Sequence, residues 1–239
     1  MKQLTFYFIW ILIFSPTSLF ANNIGSDTLI VESVADFTID GKGSNPQWTT
    51  TAWTSLNQID SGINGYDSRF KIMYSPKGIY VLFSGKDKKI TSPYRNDFDD
   101  LYEADVFEVF FHPNPALPLY FEYEISAREK ELVLLIPNID GKIAGWRPWH
   151  YEGNRKIIKK VQVQKGAKGM EGWTAECFFP YELLQPLQQV PPVSGTYWNA
   201  NFCRLDYDPG KMIKWSWSPV KVSFHEFKVF QTIRFREHK

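Results

Sequence analysis

Cysteine is scarce: Cys177 and Cys203 are the only two in 239 residues. Two so far apart make no zinc site, and no Cys-x-x-Cys-His haem signature exists. Charge of one sign is missing as well. Lys and Arg number 27 against 26 Asp and Glu, with no basic run or stripe, which argues against nucleic acid as a partner. Beyond the N-terminus no apolar run approaches the roughly 20 residues of a membrane-spanning helix, so the mature chain is expected to have no span. Helical periodicity is nearly absent, with one turn expected at 181–187. No internal repeat, low-complexity segment or linker divides the chain. Its length suits one domain with a substantial core.

The first residues read as a secretory signal. Lys2 supplies a positive start and residues 4–14 are apolar except Thr5. Ser15-Pro16-Thr17-Ser18 and then Leu19-Phe20-Ala21 resemble a cleavage region. We therefore expect a signal peptide over 1–21 and an exported domain over 22–239, periplasmic or extracellular. No cysteine follows the apolar run, which excludes lipid attachment there. In an exported chain Cys177 and Cys203 either form one disulfide or stay as two buried thiols. Both lie in expected strands, and the bond demands a specific Cα separation, so both readings stay open.

What the chain does have is period-two alternation. Phe37 and Ile39 alternate with Thr38 and Asp40 ahead of a turn at Gly41. Phe70, Ile72 and Tyr74 lead through Ser75-Pro76-Lys77-Gly78 into residues 79–83, a hairpin. Further strands are expected over 106–111, 120–125, 132–136, 173–179, 198–205, 212–217 and 230–235. About nine strands separated by turn signals predict an all-β, antiparallel sandwich of immunoglobulin or jelly-roll type in a single domain. The longest irregular pieces, 95–100 and 138–154, are where binding groups tend to sit on a rigid sandwich.

Aromatic residues are plentiful, at 17% with nine tryptophans. Trp173 shares a strand face with Ala175, Cys177 and Phe179 and is expected in the core. Trp48 and Trp53 are placed over one end of the sandwich. Trp146, Trp149 and Tyr151 crowd an irregular, proline-containing segment, and Trp215 and Trp217 share one strand face. Each pair is either a flat surface suited to the apolar face of a sugar ring or a cap on the core.

Residues 102–111, Tyr-Glu-Ala-Asp-Val-Phe-Glu-Val-Phe-Phe, are the most informative. Phe107, Val109 and Phe111 face one way, with Glu108 on the other face between Val106 and Phe110. A carboxylate in that position costs free energy unless something pairs with it.

Four pieces in order resemble the family 9 carbohydrate-binding modules, themselves DOMON-like sandwiches. They are Phe37-Thr38-Ile39-Asp40-Gly41 with Trp48; residues 102–110; Gly172-Trp173-Thr174-Ala175-Glu176-Cys177-Phe178-Phe179-Pro180; and residues 198–202 followed by Trp217-Ser218 and Phe230. The resemblance spans about 37–235. It implies binding of oligo- or polysaccharide, with glycoside hydrolases as partners in glycan breakdown. It implies two rings clamping a terminal sugar, the first matching Tyr102 and the second falling near Phe224. The carboxylate matches Glu108 and an amide matches Asn201. The family's arginine position falls on Glu122, so a guanidinium would have to come from Arg95, Arg147 or Arg204. Trp146 and Trp149 are expected nearby. No cofactor is expected. The family's structural calcium would fall to Asp97, Asp99 and Asp100, although their spacing reads as a solvated acidic loop.

Two other classes stand beside this one. Glu122 and Glu124 share a strand face near Glu108, which makes a glycosidase conceivable. Alternation alone explains them as outward charges. A haem-binding redox subunit on a related sandwich would draw axial ligands from His150, His225 or Met212, whose spacing does not argue for it. His112, His150 and His225 accompany no serine on a nucleophile elbow.

Overall fold

The computed structural model describes residues 28–59, 66–139, 142–167, 169–208 and 211–237. The expected signal peptide lies outside the described residues. Strand β1 (Leu29–Ser33) is followed by the two-residue pieces β2 (Thr54–Ser55) and β3 (Asn57–Gln58). β4 (Ser68–Tyr74) and β5 (Gly78–Lys86) form the expected hairpin. β6 (Val106–His112), β7 (Leu119–Ser126) and β8 (Glu131–Ile139) form an antiparallel meander. Short β9 (Lys142–Ile143) and β10 (Arg147–Pro148) pair with β8. β11 (Ile158–Gly166) and β12 (Gly169–Pro180) lead into a single helical turn, α1 (Tyr181–Leu184). β13 (Tyr197–Asp208), β14 (Lys211–Ser216) and β15 (Gln231–Arg236) complete the fold.

The strand order is β10-β8-β7-β6-β13-β15-β1-β4-β5-β12-β11, with β14 on β13. It folds into two layers, β8-β7-β6-β13-β14 against β1-β4-β5-β12-β11. β13 changes partner along its length, to β15 at residues 197–200 and to β14 at 203–208. That switch joins the layers through β15. The sheets are antiparallel except at β1, which runs parallel to both β15 and β4.

Inward-facing residues of both layers interlock. Phe83 stacks on Phe107 at 4.7 Å between centroids, Phe107 meets Trp173 at 4.3 Å, and Phe70 stacks on Phe202 at 3.9 Å. Phe107, Val109, Phe111, Trp173, Ala175 and Phe179 are all fully buried, as their alternation predicts. Trp215 and Trp217 belong to this same core, so they cap it rather than form a surface platform.

The core also holds a charge. Arg204 points inward, donates to Lys86 O at 2.7 Å and Ser68 Oγ at 3.0 Å, and pairs with Asp87 and Asp206. Gly85 is needed beside it, because a Cβ there would lie 2.5 Å from the guanidinium.

Three expectations are corrected. Residues 37–40 are not a strand. Glu176 Oε2 accepts the backbone N–H groups of Asp40, Gly41 and Gly43, at 3.0, 2.6 and 3.2 Å, and Oε1 accepts the Trp48 indole N–H at 2.6 Å. Those amides bond to one carboxylate instead of a neighbouring strand, and the segment lies over Met73, Tyr80 and Leu82 on the second layer's outer face. Cys177 and Cys203 are free and buried. Cys177 faces the inter-layer core beside Tyr123, whereas Cys203 faces out of the other layer toward Ser216, so no bond can join them. Glu122 and Glu124 are not outward solvated charges, being 3% and 1% exposed.

Candidate functional site

The outer face of the first layer carries the polar constellation. Alternation along β6 sends Val106, Glu108 and Phe110 away from the inter-layer core. Register then fixes their neighbours. Glu108 lies opposite Glu124 on β7 and opposite Cys203 on β13; Phe110 lies opposite Glu122 and Asn201. Three carboxyls and one amide therefore meet on one patch of sheet.

The patch is roofed. Val220, Phe224, Phe227 and Phe230 pack over Val106, Phe110, Tyr120, Leu132, Leu134 and Ile136 as a second apolar cluster. Glu108 is 3% exposed and Asn201 fully buried. Glu122 Oε2, Glu124 Oε2 and Asn201 Nδ2 have no hydrogen-bond partner. The other side of the Asn201 amide is committed: Oδ1 accepts from Phe202 N, Ser216 Oγ and Ser218 N at 2.8–3.0 Å.

Burial dominates the titration of this patch. It pushes Glu108 up to about 8. Burial first, then repulsion from the neighbouring carboxylates, raises Glu122 and Glu124 well above the usual carboxylate range. The Tyr102 backbone N–H offsets this only slightly at Glu124. His225 approaches Glu122 at 3.8 Å and shares a 2.9 Å hydrogen bond with Tyr120, but burial lowers its pKa to about 4 and leaves it neutral at pH 7.

At the rim, Tyr102, 40% exposed, sits on a 3-10 turn, Leu101–Glu103, and its carbonyl accepts the Tyr207 hydroxyl at 2.8 Å. Alongside the patch lies a cavity of about 740 Å³, within the usual range for small-ligand pockets. Asn57, Gln58, Ser216, Ser218, Lys221 and Gln231 contribute to its wall. Ser216 and Ser218 are the residues that hold Asn201, so cavity and patch share a wall. Nothing in the sequence announces this cavity, because Asn57 and Gln58 carry no pattern of their own and reach it only through pairing of β3 with β14.

Tyr102, Glu108, Glu122, Asn201 and Phe224 thus lie on one face of the first layer. Trp146 and Trp149 do not join them. They flank β10 at the sheet edge, separated from β6 by β8 and β7. Trp146 is 64% exposed, while Trp149 packs on the inter-layer core and donates its indole N–H to Leu183 O. Arg204 is committed inside the sandwich, and Arg95 and Arg147 are exposed. Asp97 accepts from Glu131 N and pairs with Lys159; Asp99 accepts from Arg95 N and Asn96 N; Asp100 is exposed. Among the described residues no group of three His, Cys, Asp or Glu is placed to hold a metal ion. His150 stacks with Phe98, and Met212 is exposed on β14, so the three suggested haem ligands have separate surroundings.

Residues 39–133 match the family model described as "Carbohydrate family 9 binding domain-like". None of the curated proteins matches the sequence. Among solved structures, the chain is similar to a proposed carbohydrate-binding protein of Bacteroides uniformis ATCC 8492, at TM-score 0.71 and 15% identity over 88% of this chain and 99% of that one. It is also similar to a family 9 carbohydrate-binding module of Caldicellulosiruptor kristjanssonii in complex with cellotriose, at TM-score 0.64 and 15% identity over 89% and 95%. A structure of such a module from the same organism with glucose gives TM-score 0.62 and 13% identity over 88% and 97%. The chain is thus a β-sandwich like the family 9 carbohydrate-binding modules, in sequence over 39–133 and in fold over most of its length.

Proposed function

We propose that this family 9-like sandwich is an exported, non-catalytic carbohydrate-binding module that serves glycoside hydrolases acting on the same glycan. The observation that carries the reading is the buried polar patch of Glu108, Glu122, Glu124 and Asn201 under an aromatic rim, in which Glu122 Oε2, Glu124 Oε2 and Asn201 Nδ2 have no hydrogen-bond partner. Buried polar atoms are nearly always paired in a folded chain. A patch that leaves carboxyl oxygens and an amide N–H free suits sugar hydroxyls, which donate to the first and accept from the second. Tyr102 offers an exposed ring for stacking. The family match includes Tyr102 and all three carboxyls. The Caldicellulosiruptor complexes, solved with cellotriose and glucose, make a gluco-configured ligand the first to try.

A ligand must displace part of segment 219–230 to touch the carboxyls. The neighbouring cavity gives it a surface to enter from. No second reading is favoured: the carboxyls lie side by side on one sheet, under cover, whereas glycoside hydrolysis needs two that flank a scissile bond with water admitted. The test is a glycan array probed with the mature chain, followed by an assay of reducing-sugar release from the best ligand. Binding without release is expected. Release that disappears in Glu124→Gln would make the protein a hydrolase, and an empty array would remove the sugar-binding reading.

A further inference from the structure

We infer that the ligand selected by this face carries a free ammonium group, that is, an amino sugar; the inference rests on the sugar-binding reading above. Among the described residues, the titratable groups that act on the patch are acidic or neutral. From β6 comes Glu108, and from β7 come Glu122, Glu124 and Tyr120. Cys203 and Tyr207 of β13 and His225 of the covering segment add no positive charge at pH 7. The turn at the rim adds Tyr102, Glu103 and Asp100, and Asp100 and Glu103 make the surroundings more acidic. Among the described residues, the one ion-pair contact of these carboxyls is His225 with Glu122 at 3.8 Å. Among the described residues no lysine or arginine forms an ion pair with them.

Carboxylates accept hydrogen bonds and do not donate them; an ammonium donates three and accepts none. The patch supplies Glu122 Oε2 and Glu124 Oε2 as free acceptors, with Glu108 opposite Glu124 in register. Charge-assisted bonds of this kind are roughly twice as strong as neutral ones. The spare Asn201 Nδ2 remains for a neighbouring hydroxyl of the same sugar.

Proton balance follows. Burial favours the protonated form of these carboxyls, so a carboxyl that pairs with the ammonium gives its proton to solvent. Access comes through segment 219–230. Glu226 accepts from the backbone N–H groups of Lys221, Val222 and Ser223, so this turn keeps its own shape when it lifts.

The test uses the mature chain and three trisaccharides differing at C2: the glucosamine oligomer, its N-acetylated form and cellotriose. Calorimetric titration in buffers of different ionisation enthalpy reads affinity and proton release together. The amine-bearing oligomer should bind at least tenfold more tightly than the other two and release protons. Glu122→Gln should remove that preference, with Glu124→Gln as a second variant should the first melt early. Cellotriose binding as tightly as the amine, or an amine preference that survives both substitutions, would overturn the ammonium assignment while leaving sugar binding in place. No binding of any of the three, with an empty array, would remove both.

Discussion

At the scale of single residues, position on the strand decides role. Tyr102 and Phe224 are both aromatic and both on the carboxyl face, yet one residue is 40% exposed and the other 7%. Tyr102→Ala should therefore weaken binding by about three- to tenfold, the range expected of a stacking contact. Its effect on stability should stay near the ~0.5 kcal/mol of surface changes. Equal affinity of variant and wild type would remove Tyr102 from the contact. The cysteines behave oppositely to an exported disulfide pair. Burial raises both thiols well above their ordinary range, so a thiol reagent should find neither in the native protein and both after unfolding. Melting should not shift when reductant is added.

Elements are where the sequence was most legible and also where it misled. The strands that line the inter-layer core announce themselves through Phe107-Val109-Phe111 and Trp173-Ala175-Cys177-Phe179, since burial on one face writes period two into the chain. β1 and β11 were not foreseen. β11 is an edge strand rich in Lys and Gln with little buried surface, and β1 gains its place by parallel pairing with distant segments. The same alternation places Glu122 and Glu124 on the outer face but says nothing of what covers it. Segment 219–230, nearly a hundred residues onward, turns an expected solvated face into a buried one. Motifs 37–41 and 172–180 are physically linked through Glu176, a contact that only the three-dimensional structure shows. Glu176→Gln leaves four N–H donors facing a weaker acceptor. It should cost about 2 kcal/mol, by the worth of hydrogen bonds to a charged group. For a protein of this size that is a fall of roughly 4–8 °C in melting temperature. Sugar affinity measured below the melt should stay unchanged, because Glu176 ties down the opposite layer.

For the whole molecule, buried acids set an unusual pH dependence. Glu108 is raised from 4.5 to about 8, Asp206 from 3.8 to about 7 and Asp105 from 3.8 to about 6, each mainly by burial. Such groups favour folding most when both folded and unfolded forms are protonated. As pH rises past the unfolded value, the unfolded chain loses its protons first and stability falls until the folded pKa is passed. His225 acts in the other direction, since its lowered pKa costs stability as pH drops from 6.5 toward 4. The acids outnumber it, so the protein should melt at a higher temperature at pH 6 than at pH 8. A melting temperature that rises from pH 6 to 8 would show that these carboxyls are not held neutral in the fold.

On the sugar-binding proposal, the roofed patch is kept for a ligand and not for stability. Calorimetric titration of Glu108→Gln against the best array ligand, beside a thermal melt at pH 8, tests this most directly. Replacing a carboxyl whose charged form burial disfavours should leave the melting temperature equal or higher, while affinity falls roughly tenfold or more, one decade being about 1.4 kcal/mol. A lower melting temperature with unchanged affinity would contradict the account and make Glu108 part of the scaffold.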